Sequence, residues 1–175
     1  KLRRESGTFV VEGIRMFREV PKERLMQTYV SESFLEKQEN RNAVKEVRYE
    51  IMTDKVFASV SDTQTPQGIL CIVRQQEYSL ETILKKDRPL LMILENLQDP
   101  GNLGTIFRTA EGAGVDGIIM SSDTVDIYNP KTVRSTMGSL YRMPFIYEKD
   151  LKGILGQIKD GGIQVYAAHL KGENA

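Results

Sequence analysis

Two residues suited to handling a phosphate and a hydroxyl stand six apart in the stretch "ILENLQDPGNLGTIFRTAEGAG", Ile93 to Gly114: Asn102 and Arg108. A guanidinium is a permanent cation whose fork of N–H donors fits a phosphate or a carboxylate. A carboxamide beside it offers a donor and an acceptor at once. Together they can hold a ribose-phosphate and tune a nearby hydroxyl. The turn before them gathers Glu95, Asn96 and Asp99 with glycines. An arginine one to two turns into a helix, among Ile106, Phe107 and Ala110, calls for a partner, either a carboxylate such as Glu95 or a phosphate. The same residues also fit a plainer description: a polar turn made by Pro100-Gly101, and a surface arginine resting its stem on apolar neighbours.

A second group lies in "NPKTVRSTMGSLYRMPF", where Lys131, Arg134 and Arg142 accompany Tyr128 and Tyr141. Basic and aromatic residues at a sheet edge suit a ribose-phosphate backbone, and a solvated helix face would read alike. Other chemistry has little to work with. His169 is the one histidine, which leaves no material for a His-based triad or a multi-His zinc site. Cys71 is the one cysteine, so neither an intrachain disulfide nor a thiolate metal site can form, and a reducing, intracellular setting is the natural reading. No G-x-G-x-x-G and no P-loop occurs, which disfavours dinucleotide and nucleoside triphosphate binding.

The bulk numbers set outer bounds. With 175 residues, 40% hydrophobic and 27% charged, the chain can bury a core in one domain or two. Lys+Arg and Asp+Glu are 24 each, so no global basic field points to nucleic acid, although a local patch suffices to engage phosphates. No apolar run reaches the roughly 20 residues that span a bilayer. "KLRRESGTFVVEG" has no apolar segment behind its basic residues and is no signal peptide.

The elements that must position these residues follow from periodicity. A strand is expected at Gly7–Gly13, then a helix carrying Ile14, Phe17 and Val20. A strand in "RLMQTYVSES", a polar helix in "SFLEKQENRNAVKEV", a strand in "RYEIMT" and a helix capped by Asp54 come next, before a strand over Ile69–Val73. "QQEYSLETILKKDRP" reads as a linker, with boundaries at 1–78, 79–88 and 89–175. Beyond it "PLLMILEN" is a continuous apolar run, as for a strand buried on both faces. Helix, strand, helix, strand and helix follow, then "IQVYAAHL" as a further strand, giving an open parallel sheet with helices on both sides. The sequence opens on Lys1 and closes on "KGENA" just past that strand, so it is expected to continue beyond Ala175.

"LENLQDPGNLGTIFRTAEGAGVDGIIM" and the following "NPKTVRSTMGSLYRMPF" resemble the first motif, and its continuation, of the SpoU/TrmH family of RNA ribose 2′-O-methyltransferases. The spacing D-P-x-N-x-G-x-x-x-R-T-A is specific to it. "FVVEGIRM" and "TPQGILCIV" resemble the small ribosomal-protein-like substrate-binding domain that often precedes the catalytic one. The resemblance implies an α/β protein: that small α/β domain followed by an α/β-knot (SPOUT) parallel-sheet domain. It implies a cytoplasmic homodimer that uses S-adenosylmethionine to methylate a ribose 2′-hydroxyl in structured ribosomal or transfer RNA, without metal. Arg108 would help activate the hydroxyl and Asn102 would order the site. Glu12, Arg15, Lys131, Arg134 and Arg142 would meet RNA. Ala168, His169 and Leu170 would touch the cofactor. The family continues into a "G-N-E-G" loop and an "I-P-M…S-L-N" segment that form the knot and most of the donor pocket. "KGENA" follows no further strand and does not match them, so the knot segment is absent from this sequence. The alternative is a non-catalytic RNA-binding protein that keeps the fold.

Overall fold

In the computed structural model, which describes residues 5–168, β1 (Thr8–Glu12) alternates covered and open side chains, with Phe9 and Val11 facing the core. Gly13 follows at φ 99°, a conformation that β-carbons disfavour, and so turns the chain into α1 (Ile14–Glu19). The first free N–H of that helix, on Ile14, is taken by the Gln67 side chain at 3.0 Å. β2 (Leu25–Ser31), α2 (Gln38–Val44), β3 (Glu50–Met52), α3 (Asp54–Val60) and β4 (Ile69–Arg74) complete the N-terminal unit. Its sheet runs β1-β4-β2-β3, antiparallel except for the β2–β3 pair.

Two expectations change here. The polar helix is broken, because Lys37 is extended (φ −84°, ψ 127°) between a 3-10 turn at Ser33–Glu36 and α2. Asp54 is not the cap of α3; the Thr53 hydroxyl accepts the Val56 N–H at 3.4 Å. The Asp54 carboxylate instead accepts from the Ser33 hydroxyl at 2.6 Å and from its N–H at 3.2 Å, which holds the carboxyl below its usual range.

The second sheet is parallel and ordered β5 (Leu91–Leu94), β6 (Gly117–Ser121), β7 (Phe145–Glu148). α5 (Pro100–Gly112) and α6 (Pro130–Thr136) connect these strands, while α4 (Leu80–Ile83) precedes the sheet and α7 (Leu151–Asp160) follows it. The period-2 alternation of β6 divides the packing. Ile118 and Met120 join one cluster with Leu103, Phe107 and Ala110 of α5 and Val133 of α6. Ile119 joins a second cluster with Ile146, Ile83 of α4, and Ile154 and Ile158 of α7. Helices therefore cover both faces, as the α/β reading requires. The stretch expected as a linker carries α4, whose Ile83 is 2% exposed, so it is packed rather than a free tether.

Two strands depart from expectation. β5 is half-buried along its whole length, unlike fully buried β6, because among the described residues it pairs with β6 on one side only. Over residues 163–168, "IQVYAA" forms no ladder; Ile163 and Val165 pack against the second cluster while Gln164 and Tyr166 stay exposed. The alternation is there, but no neighbouring strand among the described residues accepts it.

The two units share one apolar cluster running from Phe9, Val11 and Cys71 to Phe107, Tyr128 and Phe145. The Phe9 ring lies 4.7 Å from Tyr128, and Tyr128 lies 5.9 Å from Phe145. The Tyr128 hydroxyl donates to the Gln76 carbonyl and accepts the Gln76 N–H, both at 3.2 Å, which fastens the connecting chain to this stack. Burial pushes that phenol up to about 12.

Candidate active site

Parallel order brings the carboxyl ends of β5, β6 and β7 side by side, and the loops that follow them meet there. The loop after β5 turns at Asn96, whose φ of 49° is one that asparagine tolerates better than most residues. The Asn96 N–H donates to the Ser121 hydroxyl at 2.8 Å, and that hydroxyl donates to Asp123. The Gln98 amide reaches the Asn96 side chain at 2.6 Å and the Asp123 carbonyl at 2.7 Å. The Leu97 carbonyl accepts the Val125 N–H at 2.8 Å. These bonds lace the two loops into one rim. A cavity of about 660 Å³ opens beside it, lined by Glu95, Asn96, Ser121, Asp123, Lys149 and Asp150, with Leu151 its one large apolar side chain.

Asp99 starts α5. Its side chain accepts the Asn102 N–H at 2.7 Å, and Pro100 occupies the first helical position, where no N–H is needed. The helix thus opens before Asn102, and Arg108 lies more than two turns in. Six residues correspond to a rise of about 9 Å and a rotation of roughly 120° between the two side chains. Asn102 and Arg108 are both exposed and border one solvent-facing strip with Thr105 between them, rather than lying side by side.

The glycines of this motif serve packing. A β-carbon on Gly104 would come within 2.7 Å of the Ser135 backbone carbonyl carbon, so α5 and α6 cross at this point. The Ser135 hydroxyl shares its proton among the Thr132, Lys131 and Pro100 carbonyls at 2.9, 3.0 and 3.1 Å, the last of these at the start of α5. Gly112, four residues beyond Arg108, has open space around it. Arg108 is therefore flanked at i−4 and i+4 by residues without side chains. No carboxylate engages it among the described residues, and Glu95, which stood with a phosphate as one candidate partner, is exposed and makes no such pair.

The other site residues separate into two kinds. Arg15 on α1 and Lys131 on α6 are exposed. Glu12, Arg134 and Arg142 are occupied within the chain. Glu12 is 8% exposed, and its carboxylate accepts from the Ser61 hydroxyl at 2.6 Å, the Asp62 N–H at 3.1 Å and the Thr63 hydroxyl. Arg134 pairs with Asp62 at 3.0 Å. Arg142 pairs with Glu111 and, at 2.6 Å, with Glu19; these bonds, that to Glu111 foremost, hold its guanidinium above its usual range. The partners Asp62, Glu19 and Glu111 escaped the sequence reading because they lie 72, 123 and 31 positions from their arginines. Ala168 is exposed; His169 and Leu170 lie outside the described residues. No group of three His, Cys, Asp or Glu side chains among the described residues could hold a metal ion, and no helix there is long and apolar enough to cross a membrane.

Residues 89–175 match the SpoU rRNA Methylase family, and residues 1–71 match the MRM3-like substrate binding domain. The chain is 30% identical to the 23S rRNA (guanosine(2553)-2′-O)-methyltransferase RlmP of Bacillus subtilis, over 98% of its own length and 66% of that protein's. It is 35% identical to human mitochondrial rRNA methyltransferase 3, over 82% of its length and 36% of that protein's. Among solved structures, AdoMet-bound rRNA methyltransferase from Sinorhizobium meliloti superposes with a TM-score of 0.72 at 27% identity, covering 89% of this chain and 59% of that one. The chain thus spans under two thirds of the length of these relatives.

Proposed function

The chain belongs to the SpoU rRNA methylase family, and from that premise we propose that it acts in transfer of a methyl group from S-adenosylmethionine to a ribose 2′-hydroxyl of structured RNA. Ribosomal RNA is the favoured substrate, since the Bacillus and human relatives are named for it. The observation that carries the reading is Arg108: an exposed guanidinium between two glycine positions of its helix, with no carboxylate on it among the described residues. An arginine so placed is available to a phosphate.

The reaction requires the ribose hydroxyl to be oriented, and its proton passes to the bound phosphate or to water as the O–CH3 bond forms and the S–CH3 bond of the donor breaks. Arg108 binds the phosphate next to that ribose and polarises the hydroxyl through its N–H fork. A permanent guanidinium cation does not serve as an ordinary base. Asn102, near the start of the same helix, orders the nucleotide at the other border of the strip. Arg15, within a recognition unit that we assign to residues 1–78, and Lys131 on α6 hold the RNA backbone at a distance from the chemistry. S-adenosylmethionine supplies a methyl group on a sulfonium sulfur. The described residues do not enclose it alone, because an adenine needs apolar faces and the cavity beside the rim offers only Leu151. Ala168, His169 and Leu170 remain the proposed donor contacts. We also infer a homodimer and, by likeness to the bacterial relative, a cytoplasmic setting.

The test is transfer of labelled methyl from S-adenosylmethionine to ribosomal RNA by the full-length protein, with the modified nucleotide read from resistance of its 3′ linkage to alkali. Label at one alkali-resistant linkage is expected. Binding of RNA without any label transfer would replace the enzyme with a non-catalytic RNA-binding protein.

A further inference from the structure

The apolar cluster joining the two units holds them together but sets direction weakly, since hydrophobic contact is non-directional. Direction comes from the Tyr128–Gln76 hydrogen bonds and from charged links. Arg142, in the turn before β7, reaches Glu19 on α1 with Nη1 at 2.6 Å, and Glu111 on α5 with Nε and with Nη2 at 3.3 Å. Each carboxylate stands one turn from a residue that the proposed function uses. Glu19 follows Arg15 by four positions on α1, and Glu111 follows Arg108 by three on α5, so each pair shares a helix face. The two RNA-facing arginines thus sit on helices tied by one guanidinium. Arg134 and Asp62, 3.0 Å apart, form a second link between the units.

We propose that Arg142 is a positioning residue that sets the register between the RNA grip on α1 and the reacting nucleotide on α5, and not an RNA contact. This rests on the reading of Arg108 and Arg15 given above. The pairs are half-exposed, with side-chain exposure of 48% for Arg142, 44% for Glu19 and 33% for Glu111, so they add little to folding stability. Their effect is on geometry, and a misplacement of about 1 Å is enough to cost roughly 100-fold in rate.

Arg142→Gln, Glu19→Gln and the double variant are compared in the full-length protein. The readouts are methyl-transfer rate at saturating RNA, RNA affinity across salt concentrations, and thermal midpoint. The expected pattern is a rate lowered at least 10-fold in each single variant, no further loss in the double, and partial rescue by Arg142→Lys. RNA affinity should stay within twofold, its salt slope unchanged, and the midpoint should hardly move. Loss of affinity in Arg142→Gln with a salt slope smaller by about one phosphate would make Arg142 an RNA contact and overturn the proposal. Unchanged rates would overturn it too. If the wild type transfers no methyl, the proposed function fails, and the clamp is decided by the distance between spin labels at Arg18→Cys and Gly112→Cys. Broadening of that distance in Arg142→Gln would uphold the clamp, and an unchanged distance would refute it.

Discussion

Arg108 differs from the other arginines near the junction of the units in what surrounds it. Arg134 and Arg142 each have a carboxylate within the chain, whereas Arg108 faces outward between two glycine positions. In the proposed reaction its value lies in the planar fork, which a lysine lacks. Arg108→Lys keeps the charge and should still cut methyl transfer, by roughly 100-fold on the scale of losing one aligned donor, with RNA affinity nearly retained; full activity in a single-turnover assay would reduce the arginine to a generic cation. A second residue carries a pH signature. Asp116 accepts from the Lys86 ammonium and, at 2.9 Å, from the Leu90 N–H, and these bonds, the first foremost, draw its carboxyl below the usual value. A folded-state pKa below the unfolded one means that the stabilisation is present above about pH 4 and lost as pH falls through the lowered value. Asp116→Asn should therefore lower the thermal midpoint near neutral pH and approach the wild type in acid. An equal deficit at about pH 7 and about pH 2.5 would contradict that assignment.

At the scale of elements, the site depends on one helix crossing. α5 and α6 meet where Gly104 lies against Ser135, and the Ser135 hydroxyl reaches back to Pro100 at the start of α5. Gly104→Ala puts a methyl group into backbone and should cost about 1–3 kcal/mol, read as a lowered denaturation midpoint; an unchanged midpoint would mean that the crossing is looser than described. This contact also shows what the sequence could convey. The stretch from Glu95 to Gly104 marked a strand-loop-helix unit, but Pro100-Gly101 read as the turn, whereas Asp99 caps the helix and Pro100 begins it. That Gly104 serves a helix and not a ligand was illegible, because Ser135 lies far along the chain. The same holds for Arg134 and Arg142, whose charge and aromatic neighbours resemble an RNA surface until their partners are seen. Periodicity gave the order of the elements up to the helix before Gly161, apart from the break at Lys37 and the helix at Leu80–Ile83, yet it could not tell half-buried β5 from fully buried β6. Its alternation at Ile163 and Val165 likewise could not supply a neighbour to pair with.

The whole molecule is two α/β units around a continuous core, with the rim of strand ends on one and Arg15 on the other. In the proposed reaction, RNA held by one unit would reach the strip between Asn102 and Arg108 on the other, so fixed relative placement would be part of the function. The account stands on Arg108 acting at the ribose and not in general RNA attraction. The most direct measurement is single-turnover methyl transfer by full-length wild type and Arg108→Ala, with RNA affinity measured on the same preparations. The account predicts a rate lowered by roughly 100- to 1,000-fold while affinity falls no more than a few-fold. Wild-type turnover in Arg108→Ala, or a loss of rate matched by an equal loss of RNA affinity, would contradict it.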